Sequence, residues 1–441
     1  MKTAIRGALL TFRRDPLLAG VEAAMVYESD ALVVMEEGRI AAVGPASTLL
    51  PTLGQDVAVT SYPDSLILPG FIDCHVHYPQ TEMIAAYGEQ LIDWLNHYTF
   101  VTEQGFADKA HAAAVAEVFL AEQLRHGVTS SAVFCTVHPD SVDALFEAAE
   151  RRQLRIMAGK VCMDQYAPAA LLDSAERAYH ESKELIGRWH CRGRAEYVIT
   201  PRFAPTSSEA QLTALGALAA EYPDMAIQSH LAETPGEIAW VKSLHPDCPH
   251  YAAVYQHYGL LRPRAIYGHG VHLAEEELQL LHDSGASLAH CPSSNAFLGS
   301  GCFDLRRART VPRPVTVGLA TDLGAGTSFS MLQTMRAAYE AAQSHGYALS
   351  APQAFYLATR GSAEALGWAD KVGSIEVGLE ADLVVLTLRS TPLIDFRMRY
   401  VQDIEEALFV QMILGDDRAI AATYVAGRLQ YRQGQARQGD M

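Results

Sequence analysis

The sequence predicts an α/β protein, a (β/α)8 barrel of the TIM type with a small β-sandwich made from the two ends of the chain. Three observations carry that expectation. Between about Leu66 and Trp368, short apolar runs alternate with longer helix-like stretches, eight strands in order, as such a barrel requires. At both ends the texture changes to strand, tight turn and strand. The length, 441 residues, exceeds one ordinary compact domain and suits a large barrel plus something smaller. The expected division is residues 1–65 for one half of the β domain, 66–370 for the barrel and 371–441 for the other half.

The elements follow in order. MKTAIRGALLTFRRD mimics a leader peptide, but its apolar run is short and Arg13 and Arg14 interrupt it, so it reads as a first strand. ALVVMEEGRIAAVG reads as strand, turn at Glu36-Glu37-Gly38, and strand. The eight barrel strands are LILPGFIDCHVH, SSAVFCTV, RIMAGKVCM, EYVITPRF, MAIQSHLAE, AIYGHGVHL, ASLAHCPSS and VTVGLATDLG. Helix-like stretches between them include ADKAHAAAVAEVFLAEQLRHG, SVDALFEAAERRQ, SEAQLTALGALAAEY and AEEELQLLHDSG. GLEADLVVLTL and AIAATYVAGRLQYR complete the β domain, with Gly427 at a turn.

Composition narrows the function. A formal charge of -17 argues against a protein that tracks nucleic-acid phosphates, and no apolar run is long enough to span a membrane. The seven cysteines are scattered without a C-x-x-C pair, which suits reduced thiols in a cytosol. A small neutral substrate is compatible with all of this.

Polar residues gather at the C-terminal ends of the strands, and in a barrel those ends converge on one face. Residues i and i+2 of a strand share a side, so His75 and His77 both point into the mouth and could chelate one ion. An isolated H-x-H is also compatible with two hydrogen-bonded histidines. His230 follows the fifth strand, with Glu233 beside it as a candidate proton carrier. His269 ends the sixth strand between two glycines, as a ligand or as a hydrogen-bonding partner of the attacking water. His272 reads as structural. Asp322 ends the eighth strand, where a carboxylate can bind a metal and accept a proton. The glycines around Asp322 lack the spacing of a nucleotide-phosphate loop. Jointly these residues supply the nitrogen and oxygen ligands of a catalytic metal with an open position for water.

The motifs PGFIDCHVHYPQ, WLNHYTFVTE, ITPRFAPTSS, SHLAETPGEIAWV, HGVHL, HCPSSNAFLGSG and TDLGAGTSFSM resemble the amidohydrolase superfamily, and within it the guanine deaminase family, over nearly the whole chain. The resemblance implies zinc held by His75, His77, His230 and Asp322, one ion per subunit; iron or manganese suits the same donors. It implies Glu233, His269 and Asp322 as catalytic groups. It also implies guanine contacts from Gln80, Arg202 and Phe203, with His230, Glu233, His269 and Asp322 also touching the base, in a cytoplasmic homodimer with no nucleic-acid or membrane partner. A bridging carboxylated lysine is not expected, because strand four ends ITPRF and Lys160 belongs to strand three. Cys74, where the family commonly has Thr, is expected to pack and not to ligate. Related deaminases or chlorohydrolases acting on another purine, a pterin, a pyrimidine or a triazine share the fold. A non-catalytic scaffold of that fold is the remaining alternative.

Overall fold

The computed structural model describes residues 2–87 and 91–434. In chain order its strands are β1 (Lys2–Phe12), β2 (Met25–Glu36), β3 (Arg39–Pro45), β4 (Ala58–Pro69), β5 (Phe71–His77), β6 (Val128–Phe134), β7 (Arg155–Gly159), β8 (Val161–Cys162) and β9 (Ala195–Pro201). They continue as β10 (Ala226–Leu231), β11 (Ala265–His269), β12 (Ser287–His290), β13 (Thr316–Leu319), β14 (Leu383–Thr387), β15 (Ile420–Val425) and β16 (Arg428–Arg432).

The barrel is the parallel series β5-β6-β7-β9-β10-β11-β12-β13, with β8 a short extra partner of β9. Its strands read as near-continuous apolar runs because helices cover them from outside. The predicted helical stretches form Lys109–Arg125, Pro139–Arg152, Glu209–Glu221 and Glu275–Ser284. Their starts are set locally. The Asp108 carboxylate accepts from Ala110 N, and Ser208 Oγ accepts from Gln211 N.

No ladder joins β13 to β5 among the described residues, and the seam is closed by other means. Near the floor it is wedged by helix Arg360–Ala365 and the residues before it. Ile72 N donates to Ala358 O at 2.9 Å, and Leu319 N donates to Ser362 Oγ at 3.1 Å. Toward the mouth the two strands meet directly. Asp322 N donates to His75 O at 2.9 Å, and Asp73 accepts from both Thr321 N and Thr321 Oγ.

Two predicted strands are interrupted. LILPGFIDCHVH breaks at Gly70: Leu66–Pro69 belongs to β4 and pairs with β14, while Phe71 begins the barrel. Gly70 sits against the Thr129 side chain, where a Cβ would collide. RIMAGKVCM breaks at Lys160, whose buried ammonium is turned to Asp173 and Glu181.

The β domain is one seven-stranded sheet, β16-β15-β14-β4-β1-β2-β3, drawn from both ends of the chain. It becomes a sandwich by folding on itself. Register pairs Tyr424 with Leu383 and Leu383 with Pro69, yet the Tyr424 and Tyr62 hydroxyls meet at 2.6 Å. The bend lies where β1 and β4 slip register after Arg6, beside Asp64 at φ 53°. Ile5, Val33 and Ile40 from one limb then share a core with Val385, Ala422 and Tyr424 from the other. No helix among the described residues is long and apolar enough to cross a membrane.

Candidate functional site

The strand ends bring His75, His77, His230, His269 and Asp322 together at the mouth. A one-residue bulge in β5, between Asp73 and Val76, sets the two histidines of that strand. His75 Nε2 lies 3.5 Å and His77 Nε2 3.6 Å from Asp322 Oδ1, and His77 Nε2 lies 3.2 Å from His230 Nε2. Gly268 makes room for the His75 imidazole, since a Cβ there would fall 2.7 Å from the ring. That is the use of the first glycine beside His269. Cys74 lies outside the cluster, its thiol turned to Ser362 O at 3.7 Å.

These donors fit one metal ion. His230 Nδ1 donates to Arg202 O at 2.6 Å, so Nε2 carries the lone pair. Burial, and then the proximity of the other imidazoles, holds His75, His77 and His230 well below the ordinary imidazole value, hence uncharged. His75 Nε2 is buried without a hydrogen-bonding partner among the described residues. Neutral nitrogens facing one another and a carboxylate at these separations call for a cation. Tetrahedral donors at about 2.1 Å from zinc stand roughly 3.4 Å apart, as these do. Lys160 is paired with Asp173 and Glu181.

The proton-handling groups surround the cluster. Burial pushes the Asp322 carboxyl up to about 7, partly offset by His269. Burial alone would lower His269, but Glu233 and Asp322 outweigh it and hold its imidazole above the ordinary value. His269 Nε2 stands 3.5 Å from Glu233 Oε2 and 3.8 Å from Asp322 Oδ2, while its Nδ1 donates to Asn295 Oδ1 at 2.9 Å. Glu233 Oε1 accepts from Ser300 Oγ at 2.8 Å. His269 at φ 72° and Asp322 at φ 48° occupy the left-handed region, rare for residues with a side chain.

A cavity opens beside them, lined by Gln80, Trp94, Leu95, Arg202, Phe203 and Leu298 together with Glu233 and the cluster. Gln80 is buried in the turn Tyr78–Met83, and its Oε1 has no partner among the described residues. Arg202 Nη1 donates to Glu103 Oε2 at 2.7 Å, and the guanidinium lies 5.4 Å from the Phe100 ring. The Phe203 ring stands 6.5 Å from His230 and 6.1 Å from Trp240.

Sequence reasoning missed Glu103, Asn295 and Ser300 as working groups, although each lies in a motif it singled out. Their roles depend on contacts with Arg202, His269 and Glu233 that have no local signature. The apolar spacing of Leu91, Trp94 and Leu95 could have marked a wall of the pocket.

A histidine-aspartate cluster able to hold a metal at the strand ends of a (β/α)8 barrel, flanked by a carboxylate and a pocket, defines a metal-dependent hydrolase class. Residues 66–429 match the amidohydrolase family, and the chain belongs to it. It is 47% identical to the guanine deaminase of Escherichia coli K12, covering 98% of both chains. The solved structure of E. coli guanine deaminase superposes with a TM-score of 0.95, over 98% of this chain and 100% of that one. The probable guanine deaminase of Deinococcus radiodurans is 37% identical over 96% of this chain and 97% of its own. The guanine deaminase of C. acetobutylicum, solved with bound guanine in the active site, is 29% identical with a TM-score of 0.87, over 97% and 100%.

Proposed function

We propose that the chain is a guanine deaminase, a hydrolase that replaces the 2-amino group of guanine by oxygen and releases xanthine and ammonia. The observation that carries this is the near-full-length likeness to guanine deaminases in a chain whose cavity joins the metal cluster to Arg202. His75, His77, His230 and Asp322 would hold the ion, and zinc is the choice their nitrogen-rich donor set favours. When bound, such an ion brings the pKa of a water toward about 7.

The protein groups do the rest. Arg202, which has no acceptor, donates to O6, Gln80 reads the same edge, and Phe203 covers the face. Asp322 takes one proton from the water as its oxygen bonds to C2, while Glu233 gives one to N3. His269 hydrogen-bonds the new oxygen. Glu233 then takes the hydroxyl proton of the adduct and delivers it to the amino nitrogen, the C2–N bond breaks, and the C2 carbonyl forms. The proton left on Asp322 restores Glu233. One water is consumed, and its two protons end on N3 and on ammonia.

The same proposal includes one zinc per subunit, a cytoplasmic location supported by seven free cysteines, and a homodimer as the family resemblance implies. It also includes the division into residues 1–65, 66–370 and 371–441, with the outer two bracing the barrel. The test is loss of guanine absorbance with stoichiometric xanthine and ammonia, abolished by a chelator and restored by zinc. Ammonia from another base in a panel, and none from guanine, refutes it.

A further inference from the structure

The stretch SSNAFLGSG, Ser293 to Gly301, supplies no metal ligand, yet it folds against both Glu233 and His269. Its helix, Pro292–Phe297, ends in a Schellman motif. Ser300 N donates to Asn295 O at 2.8 Å and Gly299 N to Ala296 O at 3.3 Å, with Gly299 at φ 68°. The Ser300 carbonyl is held in turn by His272 Nε2 at 2.7 Å. Gly301 sits at φ 123°, where side chains are rarely found, and a Cβ there would crowd Val271 at 3.1 Å. The main chain of Ser300 is therefore pinned on both sides, and its buried hydroxyl points at Glu233 Oε1, 2.8 Å away.

Building on the deaminase reading, we infer that Ser300 is a positioning residue that keeps the travelling proton of Glu233 on Oε2. Among the described residues Ser300 Oγ has no other hydrogen-bond partner. A proton on Oε1 would turn that bond around and leave the serine hydrogen buried without an acceptor, a costly arrangement. With Ser300 donating, Oε1 stays an acceptor and the proton resides on Oε2, the oxygen nearer His269 Nε2 at 3.5 Å. In the forward step Oε2–H breaks as N3–H forms, and its electron pair stays on the carboxylate. In the second step Oε2 takes the adduct's hydroxyl proton and passes it to the amino nitrogen as C2–N breaks. Ser300 keeps its own proton throughout.

The test is steady-state kinetics on guanine for wild type, S300A, S300T, E233Q and S300A/E233Q, each with metal content and Tm. S300A should lower kcat by about 10- to 100-fold, the cost of misplacing a catalytic group, with KM within about twofold and metal retained. S300T should recover most of the loss. In the E233Q background the alanine should cost less than about threefold, because the proton it positions is gone. An S300A kcat within twofold of an active wild type overturns the inference alone, as does an equal loss in the E233Q background. A wild type that leaves guanine intact overturns the deaminase reading and the inference with it. If S300T does not fold, the double-mutant comparison decides.

Discussion

At the floor of the barrel, where strands begin, Glu196 accepts from Arg155 at 3.1 Å, from Lys371 at 2.9 Å and from Arg264 at 2.6 Å. Arg155 and Arg194 also reach Glu380, just before β14, so this network ties the barrel to the folded sheet. At the mouth, where strands end, neutral histidines face one another and Gln80 keeps a buried oxygen unpaired. Both ends bury polar groups, but the floor pairs its carboxylates with arginines and a lysine, whereas the mouth sets uncharged imidazoles against one another. Burial alone would raise the Glu196 carboxyl, yet Lys371, Arg264 and the Trp368 indole hold it down at about 2. Burial that His269 offsets only in part takes Asp322 up to about 7. One end is arranged to be stable as it stands, and the other is completed by a metal and a substrate.

The contrast breaks most sharply at Glu233. Glu233→Gln should keep its metal and its Tm while kcat falls by about 10²–10⁴-fold, the usual worth of a positioned acid-base group. Near-normal turnover would end its role as proton carrier. Arg202→Ala should lower kcat/KM for guanine by about 10- to 150-fold, from losing a charged hydrogen bond of about 1.5–3 kcal/mol, and should narrow the preference over bases lacking O6. An unchanged preference would move recognition elsewhere.

The floor should answer in stability and not in chemistry. Glu196→Gln leaves Arg155, Arg264 and Lys371 short of a partner and should cost about 3–5 kcal/mol, with kcat per folded molecule unchanged. Because the folded carboxyl sits near 2, against an ordinary 4.5, the wild-type advantage is full above about pH 4.5 and shrinks as pH falls toward 2. Acid and neutral denaturation curves for the pair would reveal a constant gap if the ion pairs contribute nothing. Smallest is Cys74→Ala, a change among packed groups next to the ligands. It should cost about 1 kcal/mol and leave metal content alone, whereas metal loss would make the thiol a ligand after all.

Much of this was legible because a barrel converts sequence position into spatial position. His75, His77, His230, His269 and Asp322 each end an apolar run, and the order of the runs was enough to bring them to one face. The strand-turn-strand ends were legible for a similar reason, since Gly38 and Gly427 mark their turns. The bulge that aims His75, and the breaks at Gly70 and Lys160, left no trace in apolar periodicity. They answer to the Thr129 side chain and to Asp173, which are neighbours only in the fold. Glu103 is the clearest case. Its partner Arg202 lies 99 residues away, and nothing local separates it from an exposed helical glutamate.

The seam between β13 and β5 also sets an order of events during synthesis. Asp73 and Thr321, which join its two sides, are 248 residues apart, about 12–50 s of translation at roughly 5–20 residues per second. Until then His75 and His77 lack the Asp322 carboxylate that stands 3.5 and 3.6 Å from them in the closed barrel. A ribosome-bound chain that ends before Asp322 lacks the carboxylate that faces His75 and His77, so the donor set is complete only when nearly the whole barrel has been made. A complete donor set thereby requires that the first and last strands of the barrel have found each other.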